Sequence, residues 1–314
     1  MFMTVLLSLV LPILAGGGVI ALSWLLPPLR KWKWLSGAAF GVALAVGVFG
    51  SFASENGLPV FPPSQKAQWL AFSAIFAGAF AILMPFTGEP GSTRSWPMLE
   101  LVAICVGGLV AKAPFIAAMV AGKSLDAAQP MFSDSTVSDQ IALGLVIALG
   151  IVALDRVVAA RPGFLMPLVF GISFGGLAPL ADAAGWITLT FLAVTASMIS
   201  FVAAFAAAFG GAPTIGRGGL AAALVLLAIF PMAGHRQTYG DFPWWCWGLV
   251  VASPSALLWF EIPIFGKLPA WAGNTLRILA VIAMVGGAVL IATGGGEDSS
   301  GSDGGSPFGD YSDG

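Results

Sequence analysis

The chain is a succession of apolar runs, each close to the ~20 residues needed to cross a bilayer as a helix, cut by short polar turns. That pattern leaves few folds open. A backbone in hydrocarbon has no water to bond with, so only helices or closed barrels can span it. Short segments of alternating apolar and polar residues, which would mark a barrel, are missing from the sequence. The runs therefore read as helices. Composition agrees: 58% of residues are hydrophobic and 9% charged, against about 25% charged in an ordinary soluble domain. So little charge could not cover a surface in water, and lipid is the expected solvent.

The fold class expected is all-α, a polytopic transmembrane helical bundle of about ten spans with a disordered acidic C-terminal tail. The spans fall near 4–26, 34–52, 67–86, 96–122, 139–158, 163–181, 186–209, 218–233, 244–260 and 271–293. Nothing basic precedes the first run and it is too long for a signal peptide, so it reads as a retained helix. Residues 1–293 form one transmembrane domain. Residues 294–314 are rich in Gly, Ser and Asp and cannot bury enough apolar surface to fold.

Several runs carry small residues at four-residue spacing, such as Gly37/Gly41, Ala43/Gly47 and Gly171/Gly175. Such residues let helix backbones approach closely, and here they support tight packing more than dimerisation. Trp32 and Trp34 flank a basic turn, and Trp244, Trp245 and Trp247 read as an interfacial aromatic belt. Pro114, Pro167, Pro179 and Pro254 mark places where helices would break.

Loop charge tests the count. Alternate turns collect Arg30, Lys31, Lys33, Arg94, Arg156, Arg161, Arg217, Lys267 and Arg277 on one side, and Lys66, Lys123 and Arg236 on the other. By the positive-inside rule the first side is cytoplasmic and both termini face outward. The count depends most on the hairpin at Asp182. If its two arms were not separate spans, the later basic residues would change sides. Short loops and spans rich in Ala and Gly suggest a bacterial inner (cytoplasmic) membrane.

Few residues carry chemistry. Lys112 lies within the run 96–122, some ten residues from its outer end. At a rise of 1.5 Å per residue that is about 15 Å deep. Gly108 and Cys105 share its helix face, so the face suits packing against protein. An intramembrane charge is a functional candidate, but a structural tie to an acid is favoured slightly. Asp139 and Asp182, with Asp126, are the acids nearest in depth. Glu100 sits in the first turn of the same run, where the helix dipole favours a carboxylate. Lys112, Glu100, Asp139 and Asp182 form the candidate intramembrane polar site. His235, Arg236 and Asp241, read as one polar loop with Tyr239, form a candidate extracytoplasmic site. Glu261 reads as interfacial.

The two cysteines, Cys105 and Cys246, make no metal motif and read as small packing residues. A single histidine without a spaced carboxylate makes a poor metal site. No HExxH, GxSxG or Walker A motif occurs in the sequence. No cofactor, catalytic residue or metal is therefore expected, and no enzyme is assigned. The net charge of -2 and the lack of a large basic patch argue against a nucleic-acid partner. The expected partners are the lipid bilayer and, beyond it, other membrane subunits or further copies of the chain.

Two functions from different classes lead, well ahead of a membrane-embedded enzyme acting on lipid, which only Lys112 and the His235 loop would support. Ten spans divide into two halves with an odd number each, which would be inverted in the membrane, as in many small-solute transporters. The scarcity of polar residues within the spans argues against an ion-coupled carrier. The alternative is a non-catalytic scaffold, assembly factor or complex subunit, which low polarity and many small-residue packing motifs fit equally well.

Overall fold

The structure is a computed structural model that describes residues 6–26, 33–61, 63, 67–87, 91, 137–161, 163–209, 215–237, 243–261 and 269–294. Among these residues the regular structure is all helical. A π-helical turn, Leu6–Val10, leads into α1 (Leu11–Leu25). Pro12 has no N–H to offer the helical carbonyl of Ser8 four residues before it, and Ser8 O accepts instead from Ser51 Oγ at 2.7 Å. Then come α2 (Lys33–Asn56) and α3 (Gln68–Leu83), the latter tightening into a 3-10 turn at Met84–Thr87. α4 (Val137–Ala160), α5 (Leu165–Ala183), α6 (Ile187–Phe209) and α7 (Gly216–Gln237) follow. Two short helices, α8 (Trp245–Ala252) and α9 (Ala256–Trp259), are joined by a 3-10 turn at Ser253–Ser255. α10 (Ala270–Gly294) is the last described helix.

Eight of these helices are long and apolar enough to cross a membrane, and α8–α9 together make a shorter apolar segment, Trp245–Trp259. The expected span 96–122 and the tail beyond 294 lie outside the described residues. This apolar helical bundle fits an integral membrane protein in contact with lipid.

α7 is the centre of the bundle. It packs against α2, α3, α4, α5 and α8, and 89% of its membrane-length window is buried, against 22% for α10 on the outside. The approach to α7 is made by small residues. A Cβ added at Gly41 would stand 2.5 Å from the Ala81 Cβ and 2.7 Å from the Ala222 Cβ, so the α2 pattern is consumed inside the chain. The Gly171 face is likewise closed by Phe201 of α6, 2.9 Å from where its Cβ would be. Phe40, Phe170, Phe174 and Phe230 continue the core as successive ring pairs 6.3–6.5 Å apart, linking α2, α5 and α7.

The hairpin at Asp182 is real. α5 ends in a left-handed Gly185, φ +74°. The Gly185 N–H donates to Asp182 O at 2.8 Å and the Trp186 N–H to Ala181 O at 2.9 Å. This paired ending satisfies the last carbonyls of the helix and turns the chain into α6.

Of the described prolines expected to break helices, only Pro254 does so. Pro167 lies in the first turn of α5, and Pro179 stays within that helix. A first-turn proline has no i−4 bond to lose. The aromatic belt is also smaller than expected. Trp244 and Trp245 are exposed, but Trp247 is buried, its ring lying where a Gly234 side chain would be.

Candidate functional site

Contacts between helix ends show which ends lie together. Gly216 lies against Gly37, Gly218 against Pro85, and Arg217 against Asp155. The start of α2, the ends of α3 and α4 and the start of α7 therefore share one end of the bundle. α3 and α4, consecutive among the described helices, run in the same direction. In the ten-span reading 96–122 lies between them. At the opposite end Thr188 donates to Glu55 at 3.1 Å and Trp247 covers Gly234.

The first end holds two ionic clusters. In the first, Asp155 lies on α4 shortly before its end and Arg217 in the first turn of α7. Arg217 Nε donates to Asp155 Oδ1 at 2.8 Å, and Nη2 donates to Oδ2 at 2.9 Å. Both side chains are 0% exposed. The Gly91 N–H adds a bond of 2.8 Å to Oδ2. The planar guanidinium fork matches the carboxylate, which is the geometry that can offset the cost of burying two charges. Gly216 makes the placement possible. Its φ is +55°, and a Cβ there would meet the Gly37 Cα at 2.6 Å. Only glycine meets both demands without strain.

The second cluster joins the ends of three helices. Glu261 follows α9, Arg161 follows α4, and Arg277 lies two turns inside α10. One oxygen, Glu261 Oε1, accepts from Arg161 Nε at 3.3 Å and from Arg277 Nη2 at 3.1 Å. Arg277 also donates to Phe260 O at 3.0 Å and, at a long 3.4 Å, to Asn274 Oδ1. Its side chain is 3% exposed, and its Nε is buried without a partner. Arg161 and Glu261 are 36% and 31% exposed.

Between the ends, the buried polar side chains among the described residues are hydroxyls. Ser173 and Ser253 approach to 2.7 Å, oxygen to oxygen. Each also lies within hydrogen-bond reach of a carbonyl of its own segment, Val169 O at 2.9 Å and Val250 O at 2.8 Å, so the two hydroxyl protons serve two of these three contacts at a time. Ser197 of α6 donates to Gly171 O of α5 at 2.8 Å. The Thr195 hydroxyl is buried without a partner.

The residues singled out by sequence are scattered or undescribed. Lys112, Glu100 and Asp241 lie outside the described residues, as does Cys105. Asp139 is in the first turn of α4 and Asp182 is exposed in the last turn of α5, both away from the ionic end. His235 is exposed. It and Arg236 belong to the last turns of α7 and not to a loop, because the helix continues to Gln237. Cys246 is a free, buried thiol.

In the sequence Arg217 and Arg277 look like turn charges and nothing distinguishes Asp155. The structure buries all three. A signal was present. Asp155 and Glu261 are acids on the side the basic residues chose, and each pairs with an arginine there. The candidate site that emerges is this ionic end, with the hydroxyl pair below it.

No protein-family model matches the chain, and no curated protein and no solved structure matches it.

Proposed function

We propose that this chain is a non-catalytic integral membrane protein, a scaffold, assembly factor or subunit of a larger complex. The observation that carries the reading is α7. It is enclosed by neighbouring helices along most of its length, and its first turn is fixed by the sealed Asp155–Arg217 pair. A helix held at its centre and clamped at its end suits a rigid body that presents its outer helices to others. Extraction into native-lipid particles tests this. A stoichiometric protein partner or a defined homo-oligomer is expected. A lone monomer that moves solute across reconstituted vesicles would overturn the reading.

A second reading, a small-solute transporter, is favoured by the break between α8 and α9. Interrupted helices near the midplane are common binding elements in transporters. Here the Ser253–Ser255 turn places Ser253 against Ser173, close to the middle of α5. On this reading uptake of small polar solutes into proteoliposomes is lost in Ser253→Val. Uptake no faster than in protein-free vesicles removes it. A bacterial inner membrane, from the short loops and the Ala- and Gly-rich spans, and a cytoplasmic arginine-rich end, from the charge asymmetry of the turns, are part of both proposals.

A further inference from the structure

The two ionic clusters differ in charge count. Asp155 and Arg217 balance. Arg161, Arg277 and Glu261 leave one positive charge over, and the buried member, Arg277, reaches only one carboxylate oxygen, shared with Arg161. Its other bonds go to neutral acceptors, Phe260 O and, at a long 3.4 Å, Asn274 Oδ1. A buried guanidinium with an unpartnered Nε and a shared carboxylate oxygen is therefore under-compensated in charge. Arg161 is the accessible member. Apart from the Nε bond to Glu261, its guanidinium makes no hydrogen bond to a described residue, and it is 36% exposed.

We propose that Arg161 and Arg277 form a binding site for a phosphate-bearing anion at the membrane interface. The terminal nitrogens of Arg161 make the direct contacts, with the geometry that arginine offers to phosphate. Arg277 holds Glu261 and adds its charge from beneath. The exposed Trp259 and Trp271, two residues before Glu261 and six before Arg277, are the residue type that settles at headgroup level. Exposed Leu279 and Ile282 continue along α10 into the apolar zone, so a lipid phosphate could be held there with its chains against the helix. A free phosphate or soluble phosphorylated solute offers the same chemistry to Arg161.

The test uses the full chain in a neutral detergent, with its thermal unfolding midpoint followed as ligand is added. Three probes are compared: short-chain phosphatidylglycerol, short-chain phosphatidylcholine and inorganic phosphate. Saturable stabilisation is expected from phosphatidylglycerol. Arg161→Gln should weaken its apparent affinity about tenfold, the loss of roughly one charge-assisted contact. Arg161→Lys should lose less. Arg156→Gln, which changes a neighbouring arginine outside the cluster, should leave the affinity unchanged. Phosphatidylglycerol acting well below the concentration of inorganic phosphate identifies a lipid site. Equal action by both identifies a site for the phosphate alone. The proposal is overturned if neither anion stabilises the chain, if phosphatidylcholine does so equally, or if Arg156→Gln and Arg161→Gln weaken binding alike. Should Arg161→Gln fail to fold, Arg161→Lys carries the test, and unchanged affinity in it together with Arg277→Lys overturns the site.

Discussion

The two ionic clusters stand at the same end of the bundle and use the same residue types, yet they solve different problems. Asp155 and Arg217 meet fork to carboxylate, fully buried, with a backbone N–H taking up further acceptor capacity. Glu261 divides one oxygen between two arginines, one buried and one partly exposed. The difference lies in stoichiometry more than in burial. One acid and one arginine can be closed off from solvent, because each compensates the other. Two arginines and one acid cannot, so the surplus has to stay within reach of water or of an anion. The first cluster is therefore a clamp and the second an open port.

The sharpest way to break this contrast is to remove one member of the clamp. Arg217→Met leaves a buried carboxylate, and Asp155→Asn leaves a buried guanidinium. Stranding a charge in this way costs about 3–5 kcal/mol. Asp155→Leu combined with Arg217→Met strands neither, and should recover most of the loss. Unfolding midpoints of the purified variants, arranged as a double-mutant cycle, read this directly. If each single variant melts with the parent, the pair is no clamp.

Next in size is Glu261→Gln. It removes the sole carboxylate bonded to Arg277 among the described residues while keeping a side-chain oxygen for it. The cost expected is that of an under-satisfied buried group, about 1–3 kcal/mol. The same melting assay should place this variant between the parent and Asp155→Asn. A loss as large as in the clamp would mean that Glu261 seals Arg277 as completely as Asp155 seals Arg217.

What the sequence made legible follows the same division between apolar and polar. Membrane-length helices were readable because each must satisfy its own backbone and present apolar residues to lipid, and both demands are local. The turn at Asp182 was readable because Gly185 supplies the left-handed residue that ends α5. Gly41 announced close packing, though only the structure shows it spent on Ala81 and Ala222 of the same chain. The ionic end was not readable. Asp155 and Arg217 are separated by α5 and α6, and a charge near a span end looks the same whether it faces solvent or a partner. Pairing across the bundle depends on which helices are neighbours, and apolar periodicity carries little of that where almost every face is apolar. Lys112 stands out as a charge deep in a run, whereas the charges that pair in the described structure sit at helix ends or, like Arg277, two turns inside one.

The smallest effect should come from Arg161, and its smallness is informative. In the absence of added anion, Arg161→Gln removes an exposed pairing at 3.3 Å, of the kind worth about 0.2–1 kcal/mol. Glu261 Oε1 is then left to Arg277 alone, which offsets part of the loss. Salt distinguishes the clusters further. At 1 M the screening length falls to about 3 Å, so high salt should narrow the gap between the parent and Arg161→Gln. The gap between the parent and Asp155→Asn should stay nearly fixed, because ions do not enter a sealed pair. Melting all three proteins at low and high salt measures both gaps. If salt moved them equally, the distinction between clamp and port would collapse, since both pairs would then be equally accessible to ions.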